Sequence, residues 1–121
     1  MKIIYNKLIP FKGFCAVTLG KWIFARMEYM KKGLSKWVIN HENVHMLQQD
    51  DFIIPIIKYI IFYIWYLLEW IIKLPCELFG YSAYSSISFE QEAYNNQYNL
   101  EYIKTRKKFN WLKYIFKFVK K

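Results

Sequence analysis

Two histidines and a glutamate in the run Asn40-His41-Glu42-Asn43-Val44-His45 have the spacing of a metal-binding helix. Side chains four residues apart lie on one face of a helix, so both imidazoles can bind the same ion. Glu42 can then reach a water molecule beside the ion without binding the ion itself. The pattern H-E-x-x-H therefore predicts a metal site with Glu42 as general base. The competing interpretation is a helix with two surface histidines.

A catalytic zinc site usually has three protein ligands and leaves a fourth position for water. No histidine follows His45, so the third ligand must be a carboxylate or a cysteine. Glu90 is the strongest choice, because it lies on a separate predicted helix and Ala93 one turn later allows close helix approach. Glu92 is the alternative and would point away from Glu90 on a helix. The remaining downstream candidates are Glu69, Cys76, Glu77 and Glu101.

The elements that must position these residues are a hairpin and a helix. Residues 11–26 predict two short strands joined around Leu19-Gly20-Lys21, since β-branched and aromatic residues flank a glycine. Ser35 is the predicted N-cap of the histidine-bearing helix, which runs to about Asp51. Residues 1–121 predict one domain, mainly α within the α+β class. It has an N-terminal β-hairpin followed by three to four helices, one of which is the H-E-x-x-H helix.

An apolar segment occupies residues 52–74 and is closed by Pro75. It is long enough to span a bilayer, but Lys58, Glu69 and Lys73 interrupt it. Three interpretations remain open: a single span with charges at the interface, a helix lying in the membrane surface, and a buried core helix.

Two further helices are predicted near the C-terminus. A capping box with Ser88 as N-cap and Gln91 at N3 predicts a helix to about Lys104. A last helix is predicted from about Lys108 to Lys120, with apolar residues on one face and lysines on another. This basic amphipathic tail, residues 104–121, suits an anionic membrane surface and equally a terminal helix packed on the core. Because no nucleic-acid motif is recognised, we expect no nucleic-acid partner.

The charge of the chain is unevenly distributed. The net charge is +9, divided into +7 over residues 1–36, −6 over residues 37–103 and +8 over residues 104–121. An acidic middle between basic ends suits a carboxylate-rich metal site whose flanks face an anionic surface. The two cysteines are isolated in the sequence, and the N-terminus lacks the features of a cleavable signal peptide. We therefore expect a location in the cytoplasm or at a membrane.

The H-E-x-x-H helix, the apolar segment after it and the run Phe89-Glu90-Gln91-Glu92-Ala93 resemble a group of gluzincin metalloproteases. These are the membrane proteases of the prenyl-protein-processing and heat-shock type. The resemblance implies a minimal zincin-like core that contains the H-E-x-x-H helix. In that group the glutamate three residues before the alanine binds zinc, which maps onto Glu90. An aspartate usually follows the alanine in the group, whereas this chain has Tyr94.

Blocks along nearly the whole chain are similar to short H-E-x-x-H proteins of Bacteroides-like bacteria, a family without an assigned activity. The blocks are residues 9–14, 39–45, 63–66 with 69–70, and 87–94. This resemblance implies that the blocks belong together in a bacterial protein. It also places Gln48 and Gln49 beside the metal-binding helix, where Gln49 could orient ligands or bind a substrate backbone.

These observations together predict a small, membrane-associated zinc metallopeptidase acting on a peptide or protein substrate. Zinc bound by His41, His45 and Glu90 would activate water, and Glu42 would accept and return the proton. The alternative is a non-catalytic zinc-binding module with a structural or partner-binding role. An oxyanion stabiliser is also needed, and the candidates are Tyr84, Tyr94 and Arg26. The oligomeric state is left open by the sequence.

Overall fold

The N-terminal part forms a three-stranded sheet. A computed structural model describes residues 2–10 and 14–121, including their side chains apart from those of Lys31 and Lys32. The strands are β1 (Lys2–Asn6), β2 (Ala16–Leu19) and β3 (Trp22–Arg26). Their order is β1-β3-β2, with β1 parallel and β2 antiparallel to β3. Strand β2 therefore lies at an edge of the sheet.

The predicted hairpin is confirmed as β2 and β3, although residues 11–13 of the predicted range lie outside the described residues. Leu19 pairs with Trp22, so the connection is the two-residue turn Gly20-Lys21. Gly20 has φ of 61°, a left-handed conformation that two-residue hairpin turns require. Sequence reasoning did not predict β1, which pairs along the other edge of β3.

The histidine-bearing helix, α2, spans Lys36–Asp51 and follows a single turn of helix, α1 (Tyr29–Lys32). The backbone N–H of Val38 donates to Ser35 Oγ at 3.2 Å, which confirms the predicted N-cap. Capping by serine satisfies one of the N–H groups that a helix start leaves without a partner. The predicted bounds of this helix are also confirmed.

Helix α3 (Ile57–Lys73) comes from the apolar segment and continues into a 3₁₀ helix, Leu74–Phe79. The helical stretch Ile57–Phe79 is 23 residues long and is apolar enough to cross a membrane by length and composition. Within this stretch, only 17% of an apolar segment of 18 residues is buried inside the protein. The interpretation of this segment as a buried core helix is therefore wrong.

The apolar core lies between α3 and the C-terminal half of the chain. Its buried members are Phe62, Ile87, Phe89 and Trp111. Phe62 and Phe89 stack with ring centroids 4.4 Å apart, and Trp111 meets Phe89 edge-on at 4.7 Å. Because Phe89 and Glu90 are neighbours on one helix, the packing that holds Phe89 also holds Glu90.

Helix α4 (Ser88–Asn96) is shorter than predicted, and its start differs from the predicted capping box. Ile87 is the N-cap, and the Ser88 hydroxyl donates to Glu69 Oε1 at 2.7 Å instead of capping its own helix. The prediction of one helix to about Lys104 is wrong, because the chain turns after Asn96. There the Asn40 amide lies within 2.8–3.3 Å of three backbone carbonyls, those of Asn96, Gln97 and Asn99.

The predicted last helix from Lys108 to Lys120 is wrong. The structure has the single turn α5 (Tyr102–Thr105), a 3₁₀ helix (Asn110–Tyr114) and a strand, β5 (Val119–Lys120). Strand β5 pairs antiparallel with β4 (Tyr81–Ser82). Two tertiary hydrogen bonds stabilise this backbone conformation near the C-terminus. Gln91 donates to the carbonyl of Lys117 at 2.7 Å, and the N–H of Val119 donates to Ser86 Oγ at 2.8 Å.

The resulting fold is mixed α+β, with N-terminal strands followed by three longer helices, α2, α3 and α4, and shorter turns. This confirms the predicted fold class with three to four helices. Helices α2 and α4 pack against each other, and strand β2 and helix α3 both pack against α2. The residues predicted to bind metal lie where these elements meet.

Candidate metal centre

Three predicted metal-binding side chains converge between α2 and α4. The Nε2 atoms of His41 and His45 are 3.2 Å apart, as their i, i+4 spacing on α2 requires. Glu90 approaches from α4, with Oε1 3.0 Å from His41 Nε2 and Oε2 3.2 Å from His45 Nε2. Ligand atoms around tetrahedral zinc, with bonds of about 2.0–2.1 Å, are separated by about 3.3 Å. The donor set and its spacing therefore fit a zinc ion.

Glu42 lies next to the two histidines, slightly further away than Glu90. Its Oε2 is 4.0 Å from His41 Nε2, and ligand atoms of His41, Glu42 and His45 lie within 4.8 Å of one another, close enough for these three residues to hold a metal ion. The Thr18 hydroxyl on β2 lies 2.9 Å from Glu42 Oε1. Glu42 is thus held at the edge of the site, next to strand β2, where a general base would have to lie.

Both histidines are oriented by glutamine side chains. His41 Nδ1 lies 2.9 Å from Gln97 Oε1, and His45 Nδ1 lies 2.8 Å from Gln48 Oε1. A glutamine oxygen accepts a hydrogen bond, so each histidine carries its proton on Nδ1 and presents an unprotonated Nε2 when neutral. The side-chain arrangement thus prepares both Nε2 atoms for a metal.

Two hydrogen bonds from its amide nitrogen fix the orientation of Gln48. Its Nε2 donates to the carbonyl of Phe89 and to Glu92 Oε1, both at 2.9 Å. With the amide nitrogen committed to these acceptors, the amide oxygen must face His45. Glu92 in turn accepts from Arg106 Nε at 2.8 Å and from the Tyr102 hydroxyl at 2.6 Å.

Glu90 and Glu92 have different hydrogen-bond partners. Glu90 faces the two histidines, whereas Glu92 faces Gln48, Tyr102 and Arg106. Arg106 also forms a bidentate ion pair with Asp51, in which its two Nη atoms lie 3.0 and 3.1 Å from the carboxylate oxygens. Glu92 is therefore part of a buried ionic network that supports the site from behind.

The other candidates for a third ligand have partners away from the histidines. Glu69 accepts from Ser88, Glu77 pairs with Lys121 at 2.8 Å, and Glu101 pairs with Lys104 at 3.5 Å. Cys76 is half-buried and free in the 3₁₀ helix after α3.

A cavity of about 230 Å³ lies beside these residues. It is lined by residues of β2 and α3 and by Glu42, His45 and Glu90. A second cavity of about 280 Å³ shares Tyr66, Tyr84 and residues of β2 with the first. The Tyr66 hydroxyl donates to Glu90 Oε2 at 2.7 Å. The site is thus reached along the free edge of β2.

The charges of His45, Glu90 and Glu42 shift one another's pKa values. Burial alone would lower the pKa of His45, but the charge and hydrogen bond of Glu90 outweigh burial and raise that pKa to about 9. Burial alone would raise the pKa of Glu90, but His45 and His41 lower it well below its usual range. Burial raises the pKa of Glu42, and the two histidines oppose this rise. A cation at this position is thus stabilised by the carboxylate of Glu90.

The three candidates for an oxyanion stabiliser lie in different places: two are near the histidines and Glu42, and one is not. Tyr84 lines the cavity that contains Glu42, and the Tyr94 ring packs edge-on against His41 at 4.4 Å. Arg26 lies elsewhere, donating to the carbonyls of Lys7 and Pro10 and pairing with Glu28. The prediction that Arg26 belongs to the site is therefore wrong, because its guanidinium holds the loop after β1.

The Gln49 side chain binds backbone carbonyls and not the side chains of His41, His45 or Glu90. Its Nε2 donates to the carbonyl of Gly20 at 3.2 Å, which holds the hairpin turn against α2, and lies 3.4 Å from the carbonyl of His45. Its Oε1 is buried without a hydrogen-bond partner among the described residues.

Sequence reasoning missed three residues that contact the site, Thr18, Tyr66 and Gln97. Gln97 follows Glu90 by seven residues, two helical turns, and this spacing could have identified it. Thr18 and Tyr66 carry no such local signal, because their contacts join residues 24 positions apart in each case.

No family model, curated protein or solved structure matches this chain. The resemblances to gluzincins and to short bacterial H-E-x-x-H proteins therefore stay predictions.

Proposed function

We propose that the protein is a small, membrane-associated zinc metallopeptidase that hydrolyses peptide bonds, with Glu42 as general base. One observation carries the proposal. Two Nε2 atoms and one carboxylate lie 3.0–3.2 Å apart, and the separate carboxylate of Glu42 is 4.0 Å from His41 Nε2. Three ligands with an additional acid beside them are typical of catalytic rather than structural zinc sites.

His41, His45 and Glu90 would hold the ion, and two imidazoles with one carboxylate are donors that zinc prefers. When bound, zinc lowers the pKa of water and polarises a carbonyl oxygen. Glu42 would accept the proton that the attacking water loses and pass it to the leaving amine. Burial raises the pKa of Glu42, so its carboxylate takes up a proton more readily than that of an exposed glutamate.

The free edge of β2 would bind the substrate. Antiparallel pairing turns the backbone groups of alternate residues away from the partner strand. The Tyr63 hydroxyl donates to the carbonyl of Thr18, so Thr18 faces away from β3, and Ala16 two residues earlier faces the same way. An extended peptide could pair with Ala16 by strand addition and would pass directly over Glu42. Tyr84 lines the same cavity and would donate to the developing oxyanion.

The proposed location is the bacterial cytoplasm or a membrane facing it. An apolar helix that leaves most of its surface uncovered, as α3 does, supports membrane association over free diffusion.

A zinc-binding module without catalytic activity is the second candidate. It is favoured by the deep burial of all three donor side chains, each no more than 8% exposed, because structural metal sites are closed. The two candidates make different demands on Glu42, since a structural site has no need of an additional buried carboxylate.

The test compares zinc content and peptide hydrolysis in the purified wild type and four variants. We expect His41→Ala and Glu90→Gln to lose zinc, while Glu42→Gln retains zinc and loses activity by a factor of about 10²–10⁴. Asn43→Ala, on the same helix, is the matched control and should retain both properties. Hydrolysis that survives Glu42→Gln contradicts the proposed mechanism. A zinc-loaded wild type that cleaves no peptide favours the module.

A further inference from the structure

Helix α3 exposes apolar side chains and buries two charged ones, which is the reverse of the usual distribution on a surface helix. In this helix, which is described in full, every exposed side chain is Ile, Leu or Trp. Its most exposed side chain, Ile72, is 74% accessible, while Glu69 and Lys73 are buried. A surface helix of a water-soluble protein turns its charged residues outward. The outer face of α3 is therefore made for an apolar environment.

The inner face of α3 is attached to the rest of the protein along its length. From the N-terminal end, the Tyr63 hydroxyl donates to Thr18, the Tyr66 hydroxyl to Glu90, and the Lys73 amine to the carbonyl of Ser86. If α3 crossed a bilayer, these polar partners on β2 and around α4 would lie in the hydrocarbon region as well. Such burial in lipid is costly for polar backbone that lies outside helices or closed barrels. The attachment instead favours a helix parallel to the membrane plane.

The C-terminal segment extends the same apolar surface. Phe116 is 90% exposed, and with Phe118 it lines an apolar cavity of about 350 Å³ together with Leu68 and Ile72 of α3. Lys117, which lies between the two phenylalanines, is exposed, as is Lys113. The apolar surface is thus bordered by positive charge.

We propose that the outer face of α3 and the side chains of Phe116 and Phe118 lie in one leaflet of an anionic lipid bilayer. Lys113 and Lys117 would then meet the acidic headgroups. Trp65 and Trp70 are partly exposed on α3, and tryptophan is enriched at the membrane–water interface. The protein binds the surface of the membrane and does not cross it.

Charge favours a lipid surface over a second copy of the chain. Residues 104–121 contain eight basic side chains and no acid. Three of them, Lys104, Arg106 and Lys121, pair with acids elsewhere in the chain, and the other five are lysines without an ion pair among the described residues. A symmetric dimer through this face would bring two such segments close together, and like charges would repel. An anionic leaflet supplies the opposite charge. The inference is independent of the zinc chemistry, since lipid binding requires no catalysis.

Vesicle flotation with the full chain tests the proposal. We expect binding to vesicles of phosphatidylcholine with phosphatidylglycerol, and at least tenfold weaker binding to phosphatidylcholine alone. Ile64→Glu and Phe116→Glu should each weaken binding by tenfold or more, and Lys113→Gln with Lys117→Gln should remove the preference for anionic lipid. Met30→Glu, an exposed apolar residue on α1, is the matched control. Equal binding of wild type and Ile64→Glu, or a lipid-free dimer that ignores vesicles, would overturn the proposal.

Depth measurement separates surface binding from spanning. Spin labels on single cysteines at Ile57, Ile64 and Ile72 are placed in a background with Cys15→Ser and Cys76→Ser. A helix parallel to the membrane puts the three labels at similar shallow depths by collision with oxygen and a polar nickel reagent. A deep label at Ile64 with shallow labels at both ends would indicate a span and contradict the proposal.

Discussion

The hydroxyl of Thr18 lies 2.9 Å from Glu42 Oε1 and 3.1 Å from the backbone carbonyl oxygen of Glu42. Thr18 belongs to the edge strand β2, whereas Glu42 belongs to helix α2. Both residues are buried, so this contact is shielded from water. It links the proposed substrate-binding edge directly to the proposed general base.

Thr18→Val tests whether this contact positions Glu42. Valine keeps the shape and β propensity of threonine but cannot donate a hydrogen bond. A hydrogen bond to a charged group contributes about 1.5–3 kcal/mol, so we expect kcat to fall by about ten- to a hundredfold. Zinc content should not change, because Thr18 does not contact the proposed ligands. Steady-state kinetics with metal analysis measures both effects.

Thr18→Ser is the matched control, since it retains the hydroxyl, and it should restore most of the activity. If Thr18→Val retains activity while Thr18→Ser loses it, packing of the methyl group matters and the hydrogen bond does not.

The local part of this site could be predicted from the sequence. The spacing of His41 and His45 lies within one helix, and the N-cap Ser35 is recognised from neighbouring residues. Glu90 is the strongest choice from the sequence because its helix can fold back on the first. Gln97 lies two helical turns after Glu90, so its spacing also points to the site, although it contacts His41 across 56 positions. The contact of Thr18 with Glu42 joins distant parts of the chain, and no local pattern encodes it.

The C-terminus shows the opposite case, where a local pattern is misleading. Residues 108–120 have helical periodicity, but the Trp111 indole donates to Asp51 and Gln91 binds the carbonyl of Lys117. These tertiary hydrogen bonds outweigh the modest free energy of a short helix. The same network explains why a sequence-based interpretation of the tail as an independent helix fails.

Gln97 should tune metal affinity through His41. Gln97→Leu removes the acceptor of the His41 Nδ1 proton, which lies 2.9 Å away. Loss of such a partner typically weakens metal binding by about ten- to a hundredfold. Gln97→Glu supplies a charged acceptor and should bind zinc more tightly than the wild type. Competition titration against a chromophoric chelator gives both affinities. Equal affinities for the leucine and glutamate variants would rule out an orienting role for Gln97.

Arg106 should be essential for stability, because it bridges Asp51 and Glu92 in a buried position. Arg106→Leu leaves two buried carboxylates without their cation, so we expect a loss of roughly 3–5 kcal/mol in the free energy of unfolding. Arg106→Lys retains the charge and should fall between the leucine variant and the wild type. Urea unfolding measures these values. Lys104→Gln, which breaks an exposed ion pair with Glu101, is the control and should leave stability unchanged.

Zinc affinity should rise with pH through the neutral range. The pKa of His45 is raised to about 9 in the metal-free protein, mainly because Glu90 outweighs the effect of burial. Below that pKa a proton occupies the imidazole that zinc requires, so zinc binding must release it. The apparent affinity therefore increases about tenfold per pH unit up to about pH 9, whereas an ordinary histidine would stop this rise near pH 6.5.

Calorimetric zinc titration in two buffers of different ionisation enthalpy measures the released proton directly. At pH 7.5 we expect zinc binding to release about one proton from His45. Any proton from metal-bound water adds to this number, so a fluorescence titration of the metal-free protein is used to determine the contribution of His45 separately. Glu42 makes a smaller contribution to the raised pKa of His45, so Glu42→Gln should move the rise to slightly lower pH. An affinity that is flat above about pH 6.5 in the wild type would show that Glu90 does not hold a proton on His45.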